Sequence, residues 1–297
     1  MKRIFICMSG AATKIAFIAG CVLALLDKLT PTVSTMKSKI VGYGGTSAGG
    51  ILGVFLAMGK IKAINKFITI YSLSMIFGYN PNSTKGKIKT VYNVMRGKYY
   101  LHQFNGLNKI LNKEITAKDF QEYKDSDAPP CYLGVVDFET GEELYYNIKD
   151  VEHVKDLHNL ILATSSIPIY VPYQEVFGRK LYDGGLRSHI GSHYIAENFS
   201  SEFDELVTIY SRSNSLKDYA YEFKEDIMSV LGRTFEILNL EVSKNDEKRT
   251  DEICMKKGKR VYKMFAPKKL QKKTFEATKE GNLEMLKLGM EEGNKYQ

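Results

Sequence analysis

The chain is poor in cysteine and shows no cysteine pairing pattern. Its 297 residues include only Cys7, Cys21, Cys131 and Cys254, widely separated and without a C-x-x-C pair. This excludes a disulfide framework and a cysteine-built zinc site, and fits a reducing, cytoplasmic compartment. The N-x-[ST] matches at Asn82 and Asn198 then carry no glycosylation reading. A membrane-spanning run is also lacking. Lys2 and Arg3 followed by apolar residues have the outline of a signal peptide, but residues 9–14 interrupt it with polar groups and a full charge. The second apolar stretch, 15–26, has about a dozen residues against the roughly 20 that a span requires. Internal repeats and a convincing linker are missing as well. The expectation is one domain, 1–297, of ordinary globular composition, 44% hydrophobic and 26% charged.

The charge balance is positive, +8 with a pI near 9.0. The densest basic run covers 256–263, followed by Lys268-Lys269 and Lys272-Lys273. Such a surface is either simply solvated or drawn to an anionic membrane. Nothing in the run matches a nucleic-acid reader motif, so no nucleic-acid partner is expected.

Residues 3–8 read as a buried strand and 15–29 as an apolar helix. Residues 39–43 form a second strand, and 51–58 a helix hydrophobic all round and therefore buried. Two strand–helix units in succession point to an α/β fold, a mostly parallel central sheet with helices on both faces. The Lys-, Asn- and Tyr-rich stretch 60–125 reads as a helical excursion capping a core of about 3–292. Residues 131–138 and 143–148 read as a hairpin. A helix over 158–165 stops before Pro168. A strand at 206–210, an amphipathic helix at 221–243 and a strand at 261–265 follow. A closing helix carries Leu283, Leu286 and Met290.

Chemistry concentrates at Gly45-Thr46-Ser47-Ala48-Gly49, the G-x-S-x-G pattern of a nucleophile elbow. A serine on a sharp strand-to-helix turn needs small neighbours, and its hydroxyl then stands near the positive end of the helix dipole. Ser47 needs a proton acceptor, because a free hydroxyl is a poor nucleophile near neutral pH. Asp183-Gly184-Gly185 is either a structural Asp-Gly turn or the source of that base. His189 and His193 follow at i, i+4 spacing, as in a metal pair, and sit in the chain order of a Ser-Asp-His triad. No acidic or cysteine ligand joins them in a zinc pattern, so no metal is expected and exposed histidines are.

These motifs together resemble the patatin-like phospholipases, with Ser47 in G-x-S-x-G and Asp183 in D-G-[GA]. Ala163-Thr164-Ser165-Ser166-Ile167-Pro168 is similar to that family's small-residue segment, Val136–Gly141 to its strand-turn, and residues 285–290 to its closing helix. The resemblance implies a patatin-like three-layer fold and a Ser47–Asp183 dyad acting on fatty-acyl esters of membrane phospholipids, with no cofactor. It implies a cytoplasmic protein peripheral to the membrane, and leaves oligomeric state open. It also implies an oxyanion hole from the backbone amides of Gly10, Ala11, Ala12 and Ala48. Lys14, Gly45, Gly49, Gly184 and Gly185 would support the site, and Gly20 falls where the following helix often carries glycine. The family's loop reads G-G-G-x-[KR]-G, whereas this chain has Gly10-Ala11-Ala12-Thr13-Lys14-Ile15. If those positions require φ > 0, alanine is costly and isoleucine an outlier. That departure motivates the alternative of a catalytically impaired lipid- or partner-binding protein. Aromatic and hydrophobic residues between 67 and 104 read as core or as an acyl groove, and residues 80–89 as a membrane-contacting lid.

Overall fold

Strand β1 (Lys2–Met8) sets the architecture, because its residues alternate between two cores. Ile4, Ile6 and Met8 pack on one side of the sheet, and Phe5 and Cys7 on the other. A strand buried on both faces reads as a continuous apolar run, as this one does. The computed structural model describes residues 1–11, 14–29, 38–70, 73–80, 83–214, 227–271 and 278–296.

After β1 come α1 (Ile15–Leu29), β2 (Ser38–Thr46) and α2 (Ser47–Ala57). Five helices fill the expected excursion: α3 (Ile61–Thr69), α4 (Leu73–Phe77), α5 (Thr84–Met95), α6 (Asn105–Glu114) and α7 (Ala117–Asp125). The hairpin β3 (Cys131–Asp137) and β4 (Glu143–Asn147) follows, then α8 (Val154–Thr164), β5 (Gln174–Val176) and β6 (Arg179–Asp183). The chain continues through α9 (Ser192–Asn198), β7 (Glu205–Tyr210), α10 (Ile227–Lys256), β8 (Arg260–Phe265) and α11 (Lys279–Gly293).

The sheet order is β5-β6-β3-β2-β1-β7-β8, with β4 also paired to β3. From β3 to β8 the strands are parallel. β4, β5 and β6 add antiparallel pairs at one end. Residues of α1, α2 and α8 pack with Ile4, Ile6 and Met8, whereas α9 and Cys254 of α10 pack with Phe5 and Cys7. The result is the three-layer arrangement expected from the repeated strand–helix pattern.

Two features differ from the sequence expectation. The helix read over 221–243 continues to Lys256, while residues 221–226 lie outside the described residues. Its apolar periodicity fades because the buried stripe turns polar: Ser243, Asp246 and Thr250 are all buried and all hydrogen-bonded. The basic run at 256–263 is not a continuous patch. Lys257 and Lys259 donate to the carbonyls of Glu197 and Phe203, and Lys263 pairs with Glu247 and Asp251. Lys272 and Lys273 lie outside the described residues. Gly20 has a packing role: a Cβ there would lie 2.2 Å from the Leu286 carbonyl, and one at Gly289 2.1 Å from the Phe17 carbonyl. α1 and α11 thus meet backbone to backbone. No helix among the described residues is long and apolar enough to cross a membrane.

Gly289→Val is expected to lower unfolding free energy by about 2 kcal/mol or more in urea titration, since its side chain must enter the α1 backbone. Gly232→Ala, a helical glycine whose Cβ would meet only Tyr170 Oη at 3.8 Å, serves as control and is expected to be neutral or stabilising.

Candidate active site

Ser47 follows the last residue of β2 and opens α2, with φ at 54°. Left-handed backbone at a non-glycine residue is uncommon, and the structure around this one holds it in place. Gly45 and Gly49 permit the close approach of β1. A Cβ at Gly45 would lie 2.6 Å from the Met8 carbonyl, and one at Gly49 would lie 2.2 Å from Met8 O and 2.5 Å from Ser9 O. The Ser47 N–H donates to Thr164 Oγ1 at 2.9 Å, and the Thr164 hydroxyl donates to Gly134 O at 2.7 Å. One fully buried threonine therefore ties the elbow to β3.

Asp183 reaches the serine through the same strand. Thr46 pairs with Gly134, the last rung between β2 and β3, and Asp183 pairs with Val135. Adjacent residues of β3 thus bring the ends of β2 and β6 together. The fit leaves no space for side chains: a Cβ at Gly184 would lie 2.6 Å from Gly134 O and 2.8 Å from Thr46 Cγ2. The Asp183 N–H donates to Ser166 O at 2.9 Å, and Gly185 N–H donates to Asp183 Oδ1 at 2.8 Å. The segment 163–168 therefore fixes both ends of the site, Thr164 the serine and Ser166 the aspartate. Burial raises the Asp183 pKa to about 7, partly offset by the Gly185 N–H and the nearby Ser47 hydroxyl, both of which favour the carboxylate.

The two residues open onto a cleft of about 140 Å³ that also touches Lys14 and His189 and is lined on another side by Phe235 and Leu240 of α10. Lys14 is 9% exposed, and burial lowers its pKa to about 8 against the opposing influence of Glu236.

The histidines are not solvent-exposed as expected. His193 is 2% exposed and lies between Glu143 (3.0 Å) and Asp246 (3.4 Å). Burial opposes its charge, yet those two carboxylates raise its pKa to about 9. His189 lines the cleft, where burial lowers its pKa to about 4, so the ring is neutral near pH 7. Its Nε2 and the Ser47 Cβ each lie 3.3 Å from where a Cβ on Gly10 would stand. The His189 carbonyl accepts from Thr46 Oγ1 (2.7 Å) and from Gly10 N–H (2.9 Å). Asp246 accepts from the N–H groups of His189 and Ile190 and from the Ser188 hydroxyl, fixing this loop to α10. No group of three or more metal-ligating side chains occurs among the described residues.

The oxyanion loop needs one correction. The Gly10 N–H is engaged by the His189 carbonyl, so Gly10 serves by lacking a side chain between His189 and Ser47. Ala11 lines the cleft, Ala48 lies in the first turn of α2 where the Thr46 side chain caps no amide, and Ala12 lies outside the described residues. Among the described residues, Ser47, Ile169 and Phe177 are the non-glycine positions with positive φ. Ala11 and Ile15 therefore carry no left-handed strain, and Ile15 simply starts α1. None of the aromatic residues of 67–104 lines this cleft; Phe67 is core, Phe77 stacks on Phe104, and Tyr71 lies outside the described residues. Sequence patterns missed Thr164, Asp246 and Arg212, whose roles depend on partners distant in the chain. Arg212 borders the cleft and is held by Ser243 and Glu247.

Because the folded pKa of Asp183 lies above its unfolded value, the native state binds the extra proton between about pH 4 and 7, and stability falls as pH rises through that window. Asp183→Asn is expected to be more stable than wild type at pH 8, by on the order of a few kcal/mol. Thermal or urea unfolding should show the gap closing below about pH 4.

A family model, patatin-like phospholipase, matches residues 6–194, taking in Ser47, Thr164 and Asp183. No curated protein sequence matches the chain. Among solved structures, VipD from Legionella pneumophila is similar, with a TM-score of 0.52 and 12% identity over 99% of this chain, a likeness of fold. The chain spans 66% of that protein's length. With well over half of its length matched, the chain belongs to the patatin-like phospholipase family, whose general activity is lipid acyl hydrolysis.

Proposed function

We propose that the protein is a serine acyl hydrolase that cleaves fatty-acyl esters of membrane phospholipids through a Ser47–Asp183 dyad. The observation that carries this reading is the convergence of Ser47 and a buried Asp183 carboxyl on one cleft, where burial raises the carboxyl to about 7. A base with that pKa matches the working pH, so a histidine intermediary is not needed.

Ser47 Oγ attacks the ester carbonyl while its proton passes to Asp183. The oxyanion is held by the Ala48 and Ala11 amides, with Lys14 adding positive potential. Collapse breaks the ester bond, and the leaving lysophospholipid oxygen takes the proton from Asp183. Water then loses a proton to Asp183 and attacks the acyl-serine, fatty acid departs, and the proton returns to Ser47. His189 supports the geometry through its carbonyl while its neutral ring borders the serine. On this reading the protein works as a peripheral enzyme at the cytoplasmic membrane surface.

Ser47→Ala is expected to abolish fatty-acid release from phospholipid and from a soluble ester, and Asp183→Asn to lower kcat by about 100- to 10,000-fold. His189→Gln is expected to stay within about tenfold of wild type; a loss matching that of Asp183→Asn would move the base to His189. The kcat/KM profile should rise with pH through an apparent pKa near 7, and an inflection near 4 would implicate His189 instead. Equal silence of wild type and variants on every ester would leave the lipid- or partner-binding reading.

Thr164→Val would strand the Ser47 N–H and the Gly134 carbonyl. The expected effect is a loss of about 1–3 kcal/mol of stability and a lower kcat with KM little changed. Thr164→Ser, which restores the hydroxyl, should recover both.

A further inference from the structure

Helix α5 is mounted with its polarity reversed. The face against the protein carries Gly86, Thr90 and Asn93: Gly86 is buried, Thr90 bonds back to Gly86 O, and Asn93 Nδ2 donates to Leu101 O. The opposite face carries Ile88, Val91, Tyr92 and Met95, at i, i+3, i+4 and i+7, exposed by 63%, 58%, 52% and 82%. A helix of a soluble domain normally turns such a stripe inward. Lys85 and Lys89 flank it on one side and Lys87 on the other, with Arg96 and Lys98 just beyond, all exposed.

Along the chain, α5 sits in a stretch that carries charge of one sign. Residues 28–113 contain thirteen lysines and arginines and no aspartate or glutamate. Ten of those bases fall in 60–113, and outside that stretch 32 basic residues face 34 acidic ones. The positive charge of the chain is therefore concentrated in the helical excursion. Beneath α5 a second cleft, of about 520 Å³, is bordered by Tyr79, Lys85, Lys89 and Lys109, with Lys89 4.2 Å from the Tyr79 ring centroid.

We propose that α5 is a membrane-docking helix that lies in the interface of an anionic phospholipid bilayer, its apolar stripe among the acyl chains, its flanking lysines on the phosphates, and one lipid headgroup in the Lys85–Lys89–Lys109 cleft. An apolar stripe bordered by lysines is the pattern of an interfacial helix, because lysine stems follow apolar surface while the ammonium stays at the phosphate level. The absence of acidic side chains over this stretch selects an anionic surface. Docking here would also position the active site. The chain leaving α5 runs alongside residues 169–170, with Leu101 N–H on Ile169 O and His102 N–H on Tyr170 O, and the adjoining Ile167 and Pro168 wall the catalytic cleft. This extends the proposed phospholipid substrate to a mode of access, but the docking itself does not depend on catalysis.

The test is co-sedimentation of the Ser47→Ala protein with vesicles of phosphatidylcholine alone or mixed with phosphatidylglycerol. Binding is expected only to the mixed vesicles and should weaken at high salt. Replacing Lys85, Lys87 and Lys89 together by Gln is expected to weaken it about 100-fold, since each base near an anionic surface contributes about fivefold. Ile88→Ser with Met95→Ser should weaken it at least about tenfold. In the Ser47 background both surface variants should turn over a soluble ester within about twofold of wild type. The proposal is overturned if phosphatidylcholine binds equally well, if the variants bind like wild type, or if no vesicle is bound and the stripe serves a protein partner instead. Anionic-vesicle binding without turnover of any ester would sink the enzyme reading and leave the docking helix standing.

Discussion

β3 pairs at two successive residues with the ends of two different strands, Gly134 with Thr46 and Val135 with Asp183. This register is what turns two motifs 136 positions apart into neighbours. It works because both Gly134 and Gly184 lack a side chain: a Cβ on either would strike Thr46 Cγ2 within 2.8 Å. The Thr164 hydroxyl then locks the junction, accepting from the Ser47 amide and donating to the Gly134 carbonyl. A slip of one residue in β3 would carry every side chain of the strand to the other face and separate the pair.

The electrostatics of the site follow from where its charges are left unpaired. Asp183 is buried beside the Gly185 amide and the Ser47 hydroxyl, and no cation among the described residues pairs with it, so its acid form is favoured and its proton affinity suits a base. His189 is buried close to Lys14 and Arg212, which favour the neutral ring. His193, four residues on in the first turn of α9, lies between two carboxylates and keeps its charge. Asp246 connects the two, bonding the His189 amide and facing the His193 ring. The C-terminal half of α10 is thereby fixed to the loop after Asp183, while Phe235 and Leu240 nearer its start line the cleft.

Much of this was legible in the sequence, and the rest was not for physical reasons. The alternating strand–helix pattern gave the parallel sheet, and glycine spacing located Ser47 and Asp183, since close backbone approach leaves a local trace. Thr164 stood within a recognised small-residue segment, but its function needs partners 117 and 30 residues away. His193 looked exposed because its carboxylate partners lie on β4 and α10. The end of α10 escaped because a buried stripe of Ser, Asp and Thr has no apolar period to read. The strain that a positive φ would bring to Ala11 or Ile15 does not arise, since neither adopts one, and Gly10 provides space beside His189.

The most direct test of the central claim is covalent labelling with a fluorophosphonate, read by intact mass and peptide mapping. The account predicts one adduct, on Ser47, forming more slowly as pH falls below about 7 and at least about 100-fold more slowly in Asp183→Asn. An adduct on another residue, or labelling of Ser47 at an unchanged rate in Asp183→Asn, would contradict it.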